Sequence, residues 1–208
     1  MTDVVLYHHV QGLTEGIQTF ADELRQAGHT VHTPDLFDGR TFDTIEEGMA
    51  FAGKAGFGAL AERGVAAAEG LGPEVVYAGF SFGVMVAQQL AQTRPEARGA
   101  LLMYACLPVS EFGEAWAEDV PVQVHAKKTD PFFAEDLEAA QALVDSTDRA
   151  ELFLYPGNEH LFADPSLPAY DAAAAALLTE RVLAFLDMVR ADKDELKDTG
   201  EIARLRER

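Results

Sequence analysis

Short apolar runs alternate with segments of helical period along most of the chain, and no other feature restricts the fold as tightly. Val4 to His8 reads as a first strand. Ile17, Phe20, Ala21, Leu24 and Ala27 then share one helical face, with Thr14 placed to cap the helix start and Gly28 to stop it. His29 to Thr33 is a second strand, ended by Pro34. Residues 36–58 are richer in Gly and Asp and read as an excursion over the sheet edge. An Ala-rich helix over 59–70 leads to the strand Glu74 to Gly79, and Val84 to Gln92 forms the next helix. Gly99 to Ala105, Val120 to Ala126 and Glu151 to Tyr155 complete the strands, with helices over 134–145 and 170–190. About six strands joined by helices predict one α/β domain, a doubly wound and mostly parallel sheet with helices on both faces. That domain is expected over residues 1–190. The tail, 191–208, is dense in both charge signs and reads as a solvated or frayed helix, or else as a partner-binding one.

At 208 residues the chain can bury one sizeable core. Its formal charge of −19 repels phosphate backbones and anionic lipid, so neither nucleic acid nor a membrane surface is expected as a partner. Cys106 is the single cysteine, which leaves no intramolecular disulfide. The start, MTDVVLYHHV, lacks the basic and long apolar regions of a signal peptide. Ala172 to Thr179 is far shorter than a membrane span, and a cytoplasmic protein is expected.

Chemistry enters at "YAGFSFGVM", residues 77–85. Of only four serines, Ser81 alone stands between Gly79 and Gly83, and it does so where a strand gives way to a helix. Side chains at the two glycine positions would collide with the neighbouring strand and helix. A serine raised on such a turn faces a cleft, with the N–H groups of the following helix aimed at developing negative charge. A tight corner that merely tolerates serine is the plainer alternative.

A hydroxyl needs a base, and the base needs a carboxylate to orient it. Two histidines follow Ser81. His125 lies inside a strand and reads as a satisfied core residue. His160 follows the last strand, in "FLYPGNEHLF", at the same sheet end as Ser81, and is preferred as the base. Asp130, just past the preceding strand and stopped by Pro131, is the preferred acid. Asp136 and Asp145 are expected on the exposed face of the next helix. The adjacent His8 and His9 should point to opposite faces, so no metal site is expected there, and no cofactor elsewhere.

Four segments together resemble the dienelactone hydrolase family of α/β-hydrolases: "VQGLTEGIQTFADELRQAGHTVHTPDLFDG", "GFSFG", "VQVHAKKTDPFF" and "LFLYPGNEHLFAD". The resemblance spans roughly residues 3–187 and implies a Ser81–Asp130–His160 triad. It also implies an oxyanion hole from the backbone N–H groups of Phe82 and Val10, and acyl transfer on a carboxylic ester or lactone. The family's best-known members have a cysteine where this chain has Ser81. They have a glutamate where His9 stands, and a substrate-binding arginine where Asp164 stands. An acid at 164 would repel an anion, so the resemblance points to a neutral or less charged small-molecule ester or lactone. His9, Phe80, Phe82, Phe132 and Phe162 lie near the motifs and are candidates for the substrate pocket, with a core role open for each phenylalanine. A catalytically silent binding domain and a non-hydrolytic acyl transferase on the same residues are the alternative functions.

Overall fold

Alternate residues of each strand face opposite layers, and the two layers have separate apolar cores. The computed structural model of the protein describes residues 1–72 and 74–206, with 192–206 in backbone alone. Six strands, β1 (Asp3–Tyr7), β2 (Thr30–His32), β3 (Val75–Phe80), β4 (Gly99–Met103), β5 (Val122–Lys127) and β6 (Ala150–Tyr155), form one sheet in the order β2-β1-β3-β4-β5-β6. Every neighbouring pair is parallel. Val4, Leu6, Val76, Ala78, Phe80, Leu101 and Met103 face one layer, built from α1 (Glu15–Gln26) and α6 (Ala172–Arg206). Val5, Tyr7, Val75, Tyr77, Leu102, Val122 and Val124 face the other, where α2 (Ile45–Ala55), α3 (Phe57–Ala67), α4 (Val84–Thr93) and α5 (Leu137–Ser146) contribute buried residues. The fold is the doubly wound α/β domain that the alternation predicts.

Local chemistry accounts for most boundaries. The Thr14 hydroxyl accepts from the Ile17 N–H at 3.3 Å, capping α1 as expected, and Gly28 takes φ 93° just beyond its end. β4 stops at Met103, two residues short of the sequence expectation, because Tyr104 turns to φ 73°. β5 begins after Pro121, whose nitrogen has no hydrogen to give a ladder. The Gly- and Asp-rich excursion holds a full helix, α2, started by Thr44 accepting from the Glu47 N–H. The last helix does not stop at 190: its backbone continues through Arg206, into the segment read as a tail. Residues 207 and 208, and the charged side chains of 192–206, lie outside the described part.

Topology fixes where a ligand can sit. After β1 the chain leaves toward β2, and after β3 it leaves toward β4, so the two adjacent strands send their connections in opposite directions. The crevice beyond their carboxyl ends is the switch point at which open α/β sheets bind ligands. Among the described residues no helix is long and apolar enough to cross a membrane.

Two buried histidines make this fold acid-sensitive. Burial pushes the His8 imidazole down to about 4, with the bond to the His9 carbonyl partly offsetting it. Burial pushes His125 down to about 3, and the Arg181 guanidinium lowers it further. Unfolded histidines take up a proton near pH 6.5, well before these two do. The unfolded chain therefore binds more protons between those values, and stability must fall as pH is lowered from 7 toward 4. Urea unfolding at pH 7 and pH 5 should show a loss of roughly 1–2 kcal/mol per histidine. A His125→Gln variant, unable to titrate, should lose correspondingly less.

Candidate active site

Ser81 follows β3 on a turn with no room to spare. A Cβ on Gly79 would lie 2.4 Å from the Gly83 carbonyl group, and one on Gly83 would lie 2.5 Å from the Tyr7 carbonyl oxygen of β1. Both contacts are with backbone, which cannot give way, so glycine is required at each position. Squeezed between them, Ser81 adopts φ 49°, a left-handed conformation that costs a non-glycine residue free energy. A single 3₁₀ turn, Ser81–Gly83, leads into α4. The first N–H groups of such a turn have no partner within it.

The serine hydroxyl meets His160 and, through it, Asp130. Ser81 Oγ lies 2.9 Å from His160 Nε2, and His160 Nδ1 lies 2.6 Å from Asp130 Oδ2. The carboxylate can only accept from Nδ1–H, which leaves the Nε2 lone pair for the serine proton. Asp130 is itself held by the Phe132 N–H, bonded to Oδ1 at 2.9 Å. The other histidine after Ser81, His125, is fully buried between the Tyr155 hydroxyl at 2.9 Å and the Gln123 side chain at 3.2 Å, away from the cleft.

The loop carrying His160 is anchored from below. Lys127, nearly inaccessible at the end of β5, bonds Asp171 at 2.5 Å and pairs with Glu159 at 3.2 Å. Thr129 donates to the Gly157 carbonyl. Behind the imidazole stands Tyr104, its ring 5.5 Å away and its hydroxyl accepting from the Ala163 N–H. Of the four non-glycine residues with positive φ among those described, Ser81, Tyr104 (73°) and Leu161 (57°) lie at or beside this site. Such clustering is where folds store backbone strain.

These groups open into a cleft of about 310 Å³ lined by Val10, Ile45, Met49, Phe57, Ser81, Phe82, Met85, Tyr104, Ala105, Leu107, Phe132, Asp136 and His160. α2 forms one wall and presses on the loop after β1, since a Cβ on Gly48 would come 2.1 Å from the Val10 carbonyl oxygen. Gln11 and Phe42 exchange two hydrogen bonds across the same junction. A larger cleft, lined by Trp116, Glu118 and Glu138 among others, contains none of the three hydrogen-bonded residues.

Several pocket expectations need correcting. Phe82 and Phe132 line the cleft, but Phe80, Phe162 and His9 do not. Phe80 points to the α1–α6 layer, packed on Phe20 and Tyr104. The alternation along β3 already assigns it there, beside Val76 and Ala78. Phe162 is buried against Tyr104 and Tyr155, under the Lys127 ammonium. His9 Nδ1 accepts from the Gln11 N–H, and its Nε2–H donates to Asp164 Oδ2 at 2.9 Å. Asp164 therefore does not face the cleft: it is buried and accepts four bonds, from His9, from the Thr14 hydroxyl and from the Ser166 N–H and hydroxyl. Gly16 makes room for it, for a Cβ there would overlap Oδ1 at 1.6 Å. Asp136 corrects the expectation in the other direction. It stands half-buried at the start of α5, accepts from the Cys106 N–H at 3.1 Å and lines the cleft. Its position directly before an apolar helical run, a capping position, was the available signal. The rings of His8 and His9 are engaged on different partners, His8 accepting from the Leu36 N–H. Among the described residues no group of three or more His, Cys, Asp or Glu could hold a metal.

Together, the sheet order, the strained serine turn and the strand-end crevice define an α/β-hydrolase. The dienelactone hydrolase family model matches residues 1–189, and the chain belongs to that family and so to the hydrolases. Among solved structures it resembles a dienelactone hydrolase from Anabaena variabilis ATCC 29413, at 25% identity and TM-score 0.59, covering 86% of this chain and 84% of that one. It also resembles a dienelactone hydrolase-like promiscuous phosphotriesterase from metagenomic libraries, at 22% identity and TM-score 0.68, covering 91% and 87%. A Pyrobaculum calidifontis esterase shares the fold at 16% identity and TM-score 0.63, over 91% and 77%. No curated protein matches the chain significantly.

The Asp164 cluster ties the loop after β1 to the loop after β6. Burial alone would raise this carboxyl, but the bonds from His9, Ser166 and Thr14 hold it below its ordinary value. Its contribution to stability is therefore present above about pH 4 and is lost as pH falls below that value. Asp164→Ala, which orphans the buried donors of His9 and Thr14 and frees Ser166, is expected to cost on the order of 3–5 kcal/mol in urea unfolding at pH 7. The variant should also show less further loss than the wild type on moving from pH 5 to pH 3.

Proposed function

We propose that the protein is a serine hydrolase that cleaves a carboxylic ester or lactone through an acyl-enzyme. The observation that carries this reading is the continuous hydrogen-bonded chain Ser81–His160–Asp130, opening at its serine end into the apolar cleft. Ser81 Oγ attacks the carbonyl carbon while His160 Nε2 takes the hydroxyl proton. Asp130 holds the imidazole in the tautomer that can do so and stabilises its charged form. The backbone N–H groups of Val10 and Phe82, residues that border the cleft on either side of Ser81, receive the oxyanion. His160 then passes its proton to the leaving oxygen, the alcohol departs, and Ser81 is left as an ester. Water, deprotonated by the same imidazole, attacks that ester. The acid leaves and Ser81 regains its proton.

The cleft favours substrates with apolar substituents. Ile45, Met49, Phe57, Met85, Leu107 and Phe132 supply most of its wall, and Val10 and Phe82 add their side chains to it. No lysine or arginine is among the residues lining it. The three-residue chain also argues against a purely binding role, since ligand binding does not require a base oriented on a serine hydroxyl.

Labelling with a fluorophosphonate, followed by intact mass, tests the assignment. One adduct is expected on the wild type and none on Ser81→Ala. His160→Ala should label at least about a hundredfold more slowly. Hydrolysis of p-nitrophenyl acetate should fall by about four orders of magnitude in Ser81→Ala with its unfolding midpoint little changed. Unimpaired hydrolysis by that variant would overturn the reading.

A further inference from the structure

Asp136 is the one acidic side chain lining the Ser81 cleft, and the hydrolytic steps leave it without a role. Its Oδ2 accepts from the Cys106 N–H, and no other hydrogen bond to its carboxylate is seen among the described residues. The remaining lining residues are apolar, apart from Ser81, His160 and the Tyr104 hydroxyl, which already accepts from Ala163. A half-buried carboxylate among Phe57, Phe82, Phe132, Leu107 and Met85 is poorly solvated. No lysine or arginine lines the wall to pair with it, and His160 is the single basic side chain among the lining residues. The charge of the whole chain, −19, adds to the same field.

We infer, on the serine hydrolase reading above, that the cleft selects esters whose non-reacting end carries a compact organic cation, an alkylammonium or quaternary ammonium group. Asp136 supplies the counter-charge. The aromatic walls supply the rest: Phe82 and Phe57 stand 6.1 Å apart on one side, and Phe132 lies over the His160 ring at 4.7 Å. Aromatic faces attract a cation while still packing its methyl or methylene groups, which a carboxylate alone does not do. A substrate carboxylate meets the opposite situation, with no cation to pair with and an acid already in place. The same residue thus selects for one charge and against the other. Asp136 acts on specificity and makes no contact with the reacting atoms.

Two esters of the same shape isolate the charge: acetylcholine and 3,3-dimethylbutyl acetate, which differ by nitrogen for carbon at the branched centre. The wild type is expected to favour acetylcholine by roughly tenfold or more in kcat/KM. Asp136→Asn keeps an oxygen for the Cys106 N–H and should bring that ratio close to one. A parallel measurement needs no turnover. Choline should slow fluorophosphonate labelling of wild-type Ser81 at concentrations about tenfold lower than 3,3-dimethylbutanol does. Equal protection by the two alcohols, or equal kcat/KM for the two esters, overturns the inference while leaving the hydrolase reading intact. A preference that survives in a folded Asp136→Asn overturns the role given to Asp136. Failure of Ser81 to label at all, with neither ester cleaved, removes the hydrolase reading and this inference with it.

Discussion

Where β3 turns into α4, three pieces of backbone approach so closely that neither Gly79 nor Gly83 could carry a Cβ. That contact holds the rest of the site in place. It forces Ser81 into its strained conformation, lifts the hydroxyl above the sheet and brings the start of α4 against the end of β1. The conformational cost is borne by a sheet buried on both faces, whose central strands, β3 and β4, have no exposed residue. A less rigid scaffold would relax the turn and lower the serine into the corner.

Three loops then have to meet this fixed point, and buried polar groups hold each of them. The loop after β1 is tied at His8 to Leu36, at His9 to Asp164 and at Gln11 to Phe42. The loop after β6 is tied through Lys127 to Glu159 and Asp171, and through Asp164 to the first loop. The loop after β5 is tied by Asp130 to His160 and to its own Phe132 N–H. The ties at His8, Asp164 and Asp130 are hydrogen bonds removed from water, where an unmet partner is costly and the geometry is correspondingly definite, whereas the Lys127 pairs join a buried ammonium to exposed carboxylates. Asp130 and Asp164 are both buried carboxylates beside a histidine, one bonded to the imidazole that meets Ser81 and the other joining two loops. Fold position, not residue type, separates their roles.

Much of this was legible in the sequence. The strand and helix alternation and the glycines flanking Ser81 follow from short-range rules of sterics and periodicity, and those rules act within a few residues. The same rules indicate the side of the sheet to which Phe80 belongs, although its nearness to the serine suggests a pocket. They fail at Asp164 and Asp136. Asp164 sits four residues from His160, where the resemblance suggests a substrate contact, but Leu161 at φ 57° turns the chain and carries the acid inward to His9 and Thr14. Asp136 looks like a helix surface position, but the 3₁₀ turn before α5 sets it against Cys106 and the cleft.

The sequence by itself determined the doubly wound sheet and the strained turn at Ser81, because periodicity and the absence of a Cβ are properties of neighbouring residues, and it carried the family in the wording of its segments. Only the tertiary structure decided which side chains face the cleft. Direction at a loop depends on partners more than a hundred residues away, such as Thr14 and His9 for Asp164, and no local pattern records a partner at that distance.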